Sequence, residues 1–142
     1  MDQPTLADVQ EAYANDAVAL ARRSGVTLDF TEASLDAVDA LLGALAGDDP
    51  QEPASDAAYD SAWLSAKIYG AYVGQVAIRV MGGAWEAEEI GSGIRPVLVV
   101  DGLRGDPQEK VMKRLTQDAY SGVGGYLRAI RAILARRTDR DS

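Results

Sequence analysis

Apolar side chains recur every three to four residues in several stretches of the chain, which is the spacing of one face of an α-helix. The first stretch predicts a helix over 5–24, which begins at the N-cap Thr5 and stops at Gly25. The positions predicted to be buried in it are Leu6, Val9, Tyr13, Ala17 and Leu20. A second helix is predicted from the N-cap Thr31 to about Ala46.

The stretch from 56 to about 81 is apolar nearly all round, which is typical of a central, buried helix. It also carries a ridge of small residues four apart, which would let another helix approach closely. The ridge consists of Ala58, Ala62, Ala66, Gly70 and Gly74. The positions predicted to face solvent are Lys67, Ala71, Gln75 and Arg79.

Residues 85–100 alternate or are rich in β-branched side chains, which predicts an antiparallel β-hairpin with a three-residue loop at 91–93. Residues 102–105 are predicted to form another turn. Asp106 and Pro107 then have the chemistry of a helix start, and the glycines of 122–125 are predicted to break the last helical stretch in two.

These elements predict a single, mostly helical α+β domain over 1–142. In it, a long central helix rich in small residues is packed by other helices and by a small antiparallel β-hairpin or sheet. The segment 47–56 is predicted to be an acidic, proline-containing loop, and 137–142 a frayed tail.

The chain has no cysteine and no histidine, which excludes disulfides, thiolate nucleophiles, histidine triads and histidine-ligated zinc. We therefore predict no catalytic residue, no metal and no cofactor. The net charge of −8 is unevenly placed. Residues 1–60 hold 13 acidic and two basic side chains, a net of −11, whereas 61–142 hold 9 acidic and 12 basic side chains, a net of +3. This acidity argues against nucleic-acid binding.

Three groups of residues carry candidate chemistry. Glu86, Glu88, Glu89 and Asp101 would suit a divalent cation or paired carboxylates, although a solvated strand face explains them as well. The glycine-bearing segments 102–105 and 122–125 lack nucleotide-binding fingerprints and are interpreted as a turn and a helix hinge. A solvated helix face that pairs with the acidic first half of the chain explains the basic residues of the last helices, and docking of acids or phosphates is the alternative. These residues are Lys110, Lys113, Arg114, Arg128 and Arg131.

Four aromatic residues lie within 23 positions, around the join of the central helix and the hairpin. Core packing explains them, and a binding pocket is the alternative. In such a pocket Tyr72, Gln75 and Arg79 would form the polar wall and Trp85 the apolar floor.

Short motifs in the segments 70–76, 82–85 and 107–114 resemble a small bacterial family known only as a domain of unknown function. The family has a G-A-Y-x-G-E helix, a G-G-x-W entry to a strand and a later P-x-x-x-V-x-K-R segment. With a similar upstream helix, the likeness covers about 26–136. The resemblance implies a shared fold and no particular activity. The chain has Gln75 where the family usually has glutamate, so any chemistry of that acid in relatives would be missing here.

These features favour a non-catalytic interaction or regulatory protein that self-associates through the small-residue ridge or an exposed hairpin edge. An alternative is an acidic inhibitor or immunity-type protein that binds a basic partner. A second alternative is a metal-assisted enzyme that uses Glu86, Glu88 or Asp101. The chain has no run of about 18 apolar residues and begins with an acidic, polar segment, so we predict a cytoplasmic protein that binds neither membrane nor nucleic acid.

Overall fold

A computed structural model describes residues 3–47, 49–91 and 93–141, with the side chains of 140 and 141 left out. The helices are α1 (Leu6–Arg23), α2 (Ser34–Ala46), α3 (Asp56–Met81), α4 (Pro107–Thr116) and α5 (Tyr126–Asp141). The strands are β1 (Ala84–Ile90), β2 (Gly93–Val100) and β3 (Leu103–Gly105). The fold is therefore mostly helical α+β with one antiparallel sheet, as predicted.

Helix α1 begins where its capping sequence predicts, since the Thr5 hydroxyl accepts from the Asp8 N–H and the Asp8 carboxylate accepts from the Thr5 N–H. Its buried face differs from the predicted one. The side that packs on α3 consists of Gln10, Ala14, Ala17 and Ala21, while Val9 and Leu20 are exposed. Small side chains on this face allow the two helices to approach closely, and this close packing outweighs the burial of larger residues.

Helix α2 begins three residues later than predicted, and the reason lies in the turn before it. The Asp29 carboxylate accepts from the backbone N–H and the hydroxyl of Thr31, which holds residues 29–33 in turns. The Thr31 hydroxyl accepts from the Ser34 N–H at 3.3 Å, so it caps a turn that precedes the helix. Phe30 has φ +62°, a left-handed conformation that non-glycine residues rarely adopt.

Helix α3 is the central helix, but only its second half is buried. All the buried residues of α3 lie within 66–77, whereas 56–61 are exposed. Lys67 and Arg79 face solvent as predicted, but Ala71 is fully buried and Gln75 is half-buried. The prediction for these two positions was wrong because α3 is covered from more than one side, by α1, α4 and the sheet.

The sheet has the order β1-β2-β3, and both pairs are antiparallel. Ile90 pairs with Gly93, so Gly93 belongs to β2 and not to the predicted three-residue loop. The predicted turn at 102–105 is mostly a third strand, β3. The chain reverses direction between β2 and β3 at Asp101 and Gly102. Both residues have positive φ, as a tight hairpin turn requires.

Helix α4 begins as predicted, with the Asp106 carboxylate accepting from the Glu109 N–H and Pro107 in the first turn. The predicted break between the last two helices is confirmed. Helix α5 extends to Asp141, so the segment predicted to fray is helical in this structure up to that residue. In the part of the chain that the structure describes, no helix is long and apolar enough to cross a bilayer.

Candidate functional site

Two of the four residues predicted to form a pocket bind each other. The indole Nε1–H of Trp85, at the start of β1, donates to Gln75 Oε1 on α3 at 2.9 Å. Gly74 makes this contact possible, because a Cβ at this position would overlap the six-membered ring of Trp85. The pair joins the sheet to the central helix.

The other two residues hold the segment before α2. The Tyr72 hydroxyl is fully buried, accepts from the Phe30 N–H at 2.9 Å and lies 2.6 Å from Ser34 Oγ. Ser34 Oγ donates to the Thr31 carbonyl, so Tyr72 is the donor to Ser34. The Arg79 guanidinium lies 3.8 Å from the centre of the Phe30 ring. Burial raises the pKa of the Tyr72 hydroxyl.

These contacts place Tyr72, Gln75, Arg79 and Trp85 in two adjoining clusters that link α3 to its neighbours. None of the four lines either of the two cavities described below. A pocket formed by these residues stays a prediction, and their visible role is to join elements.

Arginines bind two of the three acidic residues of β1, Glu86 and Glu88. Arg104 donates to Glu86 at 3.3 Å and to Glu88 at 3.2 Å, and Arg95 donates to Glu88 at 2.9 Å and to Asp106 at 3.0 Å. The hydrogen bonds from Arg104 and Arg95 lower the pKa of Glu88. Glu86 and Glu88 thus share one face of the sheet, as the alternation predicts, and both carboxylates are neutralised.

The rest of the acidic cluster does not complete a metal site. Asp101 lies in the turn between β2 and β3. Among the described residues, no recorded contact joins Asp101 to the carboxylates of β1. Over the described ranges there is no group of three carboxylate, histidine or cysteine side chains that could hold a metal ion.

The glycine segment after α4 binds the side-chain carboxylate of Asp39 in α2. The backbone N–H groups of Val123 and Gly124 donate to the two oxygens of the Asp39 carboxylate at 2.6 and 2.8 Å. A Cβ at Gly122 or Gly124 would stand within about 3 Å of the same carboxylate. This nest of backbone donors is therefore filled by α2, and the segment joins α2 to the break between α4 and α5.

A cleft of about 1070 Å³ lies between α1, the first half of α3, the tip of the β-hairpin and α4. We call it the main cleft. Its apolar wall is formed by aromatic and aliphatic side chains from these four elements and from the loop after α2. They are Leu6, Val9, Tyr13, Pro53, Tyr59, Trp63, Leu64, Ile90, Ile94, Pro96 and Met112.

Two residues that line the main cleft each have a buried polar atom without a hydrogen bond to the described residues. The Gln10 side chain is only 2% exposed, and its Oε1 accepts no hydrogen bond from the described residues. Arg95 Nε is likewise buried and donates to none of them, although the terminal nitrogens of this guanidinium are paired. A buried polar group without a partner costs stability, and such groups are rare in folded proteins.

Pattern reasoning missed this cleft because it assumed that apolar residues face inward. Gln10 occupies the buried face of α1, where the sequence pattern placed Leu6 and Val9. Tyr59 and Leu64 lie on the exposed half of α3, and 48% and 52% of their surfaces are exposed. A signal existed in the sequence, since a polar residue four positions before Ala14 interrupts the small-residue face of α1.

Comparison with protein-family models, with curated proteins and with solved structures finds no match for this chain. The resemblance of segments 70–76, 82–85 and 107–114 to a bacterial family of unknown function stays a prediction.

Proposed function

We propose that this protein is a non-catalytic binding module whose main cleft holds an apolar segment of a partner protein flanked by basic side chains. The observation that carries the proposal is the main cleft itself, with its aromatic wall and the exposed apolar side chains of Tyr59, Leu64 and Ile94. Exposed apolar surface of this extent typically marks an interaction site.

An apolar peptide segment fits the aromatic wall of the cleft. Side chains of the same segment would pack on Tyr59 and Trp63, whose rings are 6.3 Å apart and nearly perpendicular. Large aromatic residues of this kind supply much of the affinity of protein interfaces.

The net charge of −11 on the first 60 residues favours basic flanks. From that part of the chain, Glu52 and Asp60 lie at the edge of the cleft without an ion pair to any described residue, and the cleft is also lined by Lys67 and Lys113. A partner with lysine or arginine beside its apolar residues would be steered to this surface. The same partner would suit an inhibitor or immunity-type role, which the proposal includes.

The test is a binding titration with labelled decapeptides, each with the same Leu- and Phe-rich core. One peptide has two lysines at each end and the other has two glutamates. We expect the lysine-flanked peptide to bind more tightly and to weaken with added salt. In the Trp63→Ala protein its affinity should fall about thirtyfold, as for a central aromatic of an interface.

Tyr120→Ala is the matched control, because Tyr120 is an aromatic residue that is 97% exposed and lies outside the cleft. It should leave the affinity unchanged. Leu64→Gln is a second cleft variant at a half-exposed position, so it should fold normally and weaken binding. Equal binding of both peptides, or no loss in Trp63→Ala and Leu64→Gln, would contradict the proposal.

A second copy of this chain is a further candidate partner, because Leu64 and Ile94 expose large apolar surface around the main cleft. Gly70 and Gly74, at the C-terminal end of the small-residue ridge, already pack against α4 and Trp85. Self-association would therefore use the cleft, and sedimentation of the wild type and of Leu64→Gln over a concentration range tests it. The location in the cytoplasm also stays a prediction.

A further inference from the structure

A second cavity lies between the sheet, α4 and α5, on the other side of the α4 N-terminus from the main cleft. It has a volume of about 400 Å³, which is in the range of small-molecule sites. Its walls are mainly apolar and come from β2, β3 and α5. They include Leu98, Val100, Leu103, Ile130 and Ile133.

The Tyr126 side chain, which is half-buried at the start of α5, lines this cavity. Its hydroxyl lies against Gly105 of β3, where a Cβ would stand 2.7 Å from the hydroxyl oxygen. Among the described residues this hydroxyl has no hydrogen-bond partner. Burial, with a contribution from the Asp106 carboxylate, raises the pKa of Tyr126 to about 12, so the phenol stays protonated and able to donate near neutral pH.

Two lysines, Lys110 and Lys113 of α4, lie at the edge of the same cavity and form no ion pair with any described residue. The two carboxylates at the edge are already engaged, since Asp106 and Glu109 lie 3.0 and 3.8 Å from Arg95. The groups left without a partner are therefore three donors, a phenol and two ammonium groups. An apolar cavity edged by unpaired donors complements an apolar molecule with one anionic head group.

We propose that this cavity binds a small amphiphile that has an apolar body and a single carboxylate. The apolar body packs on Leu98, Val100 and Ile130, and the carboxylate accepts hydrogen bonds from the Tyr126 hydroxyl and the lysines. This site adjoins the main cleft, with which it shares Asp106, Glu109 and Lys113, but it does not include Trp63 and does not depend on a protein partner. Gly105 belongs to it as well, because any larger residue there would displace the Tyr126 hydroxyl.

The experiment is calorimetric titration of the full chain with octanoate and decanoate, with decanol and decyltrimethylammonium as matched probes. Decanoate should bind most tightly of the four. Each added methylene should raise affinity about fourfold if the tail is buried. Decanol should bind more weakly because it lacks the charge, and the cationic probe should not bind.

Two variants separate a functional hydroxyl from a structural one. Tyr126→Phe keeps the ring and should lower the affinity for decanoate about tenfold, as for the loss of a hydrogen bond to a charged group. It should leave the melting temperature nearly unchanged, because the hydroxyl makes no hydrogen bond to the described residues in the free protein. A purely structural hydroxyl would lower the melting temperature and leave the affinity unchanged.

Lys110→Gln should also weaken decanoate, whereas Lys67→Gln, which removes the same charge on α3 outside this cavity, should not. Decanol or the cationic probe binding as tightly as decanoate would overturn the proposal, and so would unchanged affinity in both Tyr126→Phe and Lys110→Gln. Trp63→Ala should bind decanoate normally, so failure of the main-cleft proposal leaves this result intact.

Discussion

The two halves of α3 share one ridge of small residues but have opposite environments. In the second half, Gly70 stands against the backbone of Gln108 in α4 and Gly74 against the ring of Trp85. In the first half, Ala58 is exposed and Ala62 is half-buried, beside the aromatic wall of the main cleft. One ridge of small residues therefore serves internal packing at one end and is exposed at the other.

The difference shows that a helical pattern indicates which residues can be buried. The neighbouring elements determine which of these residues are buried in the folded protein. Helix α4 and the sheet cover the second half of α3, and no element covers residues 56–61 among those the structure describes. The apolar residues of the first half remain available to a partner. The predictions below test this contrast, in order of decreasing effect.

The largest expected effect is the loss of close packing at Gly74. In Gly74→Ala, the new methyl group overlaps the Trp85 ring, so the ring must move and its hydrogen bond to Gln75 is lost. We expect the free energy of unfolding to fall by about 3 kcal/mol, the upper part of the usual range for an overpacked core. Urea denaturation measures it.

The matched change in the first half is Ala58→Leu, which enlarges an exposed position of the same ridge. It should alter the free energy of unfolding by no more than about 0.5 kcal/mol, as for surface substitutions in general. Similar losses in Gly74→Ala and Ala58→Leu would show that both halves of the ridge are packed, and the contrast would fail.

The parts of the fold that could be predicted are those with strong local signals. The capping sequence of Thr5 and Asp8 and the glycines Gly82 and Gly83 place the ends of α1 and α3, and alternation places the hairpin. The start of α2 could not be predicted, because it depends on the Asp29 carboxylate and on the contact of Phe30 with Tyr72, 42 residues further along. Strand β3 has only three residues, too few for a periodic signal.

The candidate sites were the least predictable part. The main cleft depends on Gln10, which a pattern of apolar residues does not select, and on Leu64, which it assigns to the interior. The second cavity depends on Tyr126 meeting Gly105 across 21 residues of sequence. Of the residues predicted as a pocket, Tyr72 and Trp85 have their hydrogen-bonding groups occupied by Phe30, Ser34 and Gln75. Tertiary contacts of this kind have no signature in a single sequence.

The next largest expected effect is a loss of stability on removal of a tyrosine hydroxyl, which should differ between the two halves of α3. Tyr72→Phe in the buried half removes the acceptor of the Phe30 N–H and the donor to Ser34 Oγ, and it leaves the Phe30 N–H buried without a partner. We expect a loss of about 1–3 kcal/mol in the free energy of unfolding, the cost of an unsatisfied buried group. Tyr59→Phe, in the exposed half, should lose almost nothing. An equal loss in both variants would contradict the contrast.

The smallest effect is a difference in alkaline stability between the same two variants. Burial raises the pKa of Tyr69 and Tyr72 above the ordinary value of 10.0. Above pH 10 these phenols ionise in the unfolded chain but remain protonated in the folded one, so the folded state binds more protons and stability falls as pH rises. The fall continues until the pH passes the folded pKa.

Without its phenol, Tyr72→Phe should lose less stability than the wild type between pH 9 and about pH 11, whereas Tyr59→Phe should follow the wild-type curve. Urea midpoints at a series of pH values measure the slopes, and the titration of lysines is a background that all three proteins share. Parallel curves for the wild type and Tyr72→Phe would mean that the Tyr72 phenol ionises as readily in the folded protein as in the unfolded chain. The buried half of α3 would then be open to solvent, and the distinction between its two halves would not hold.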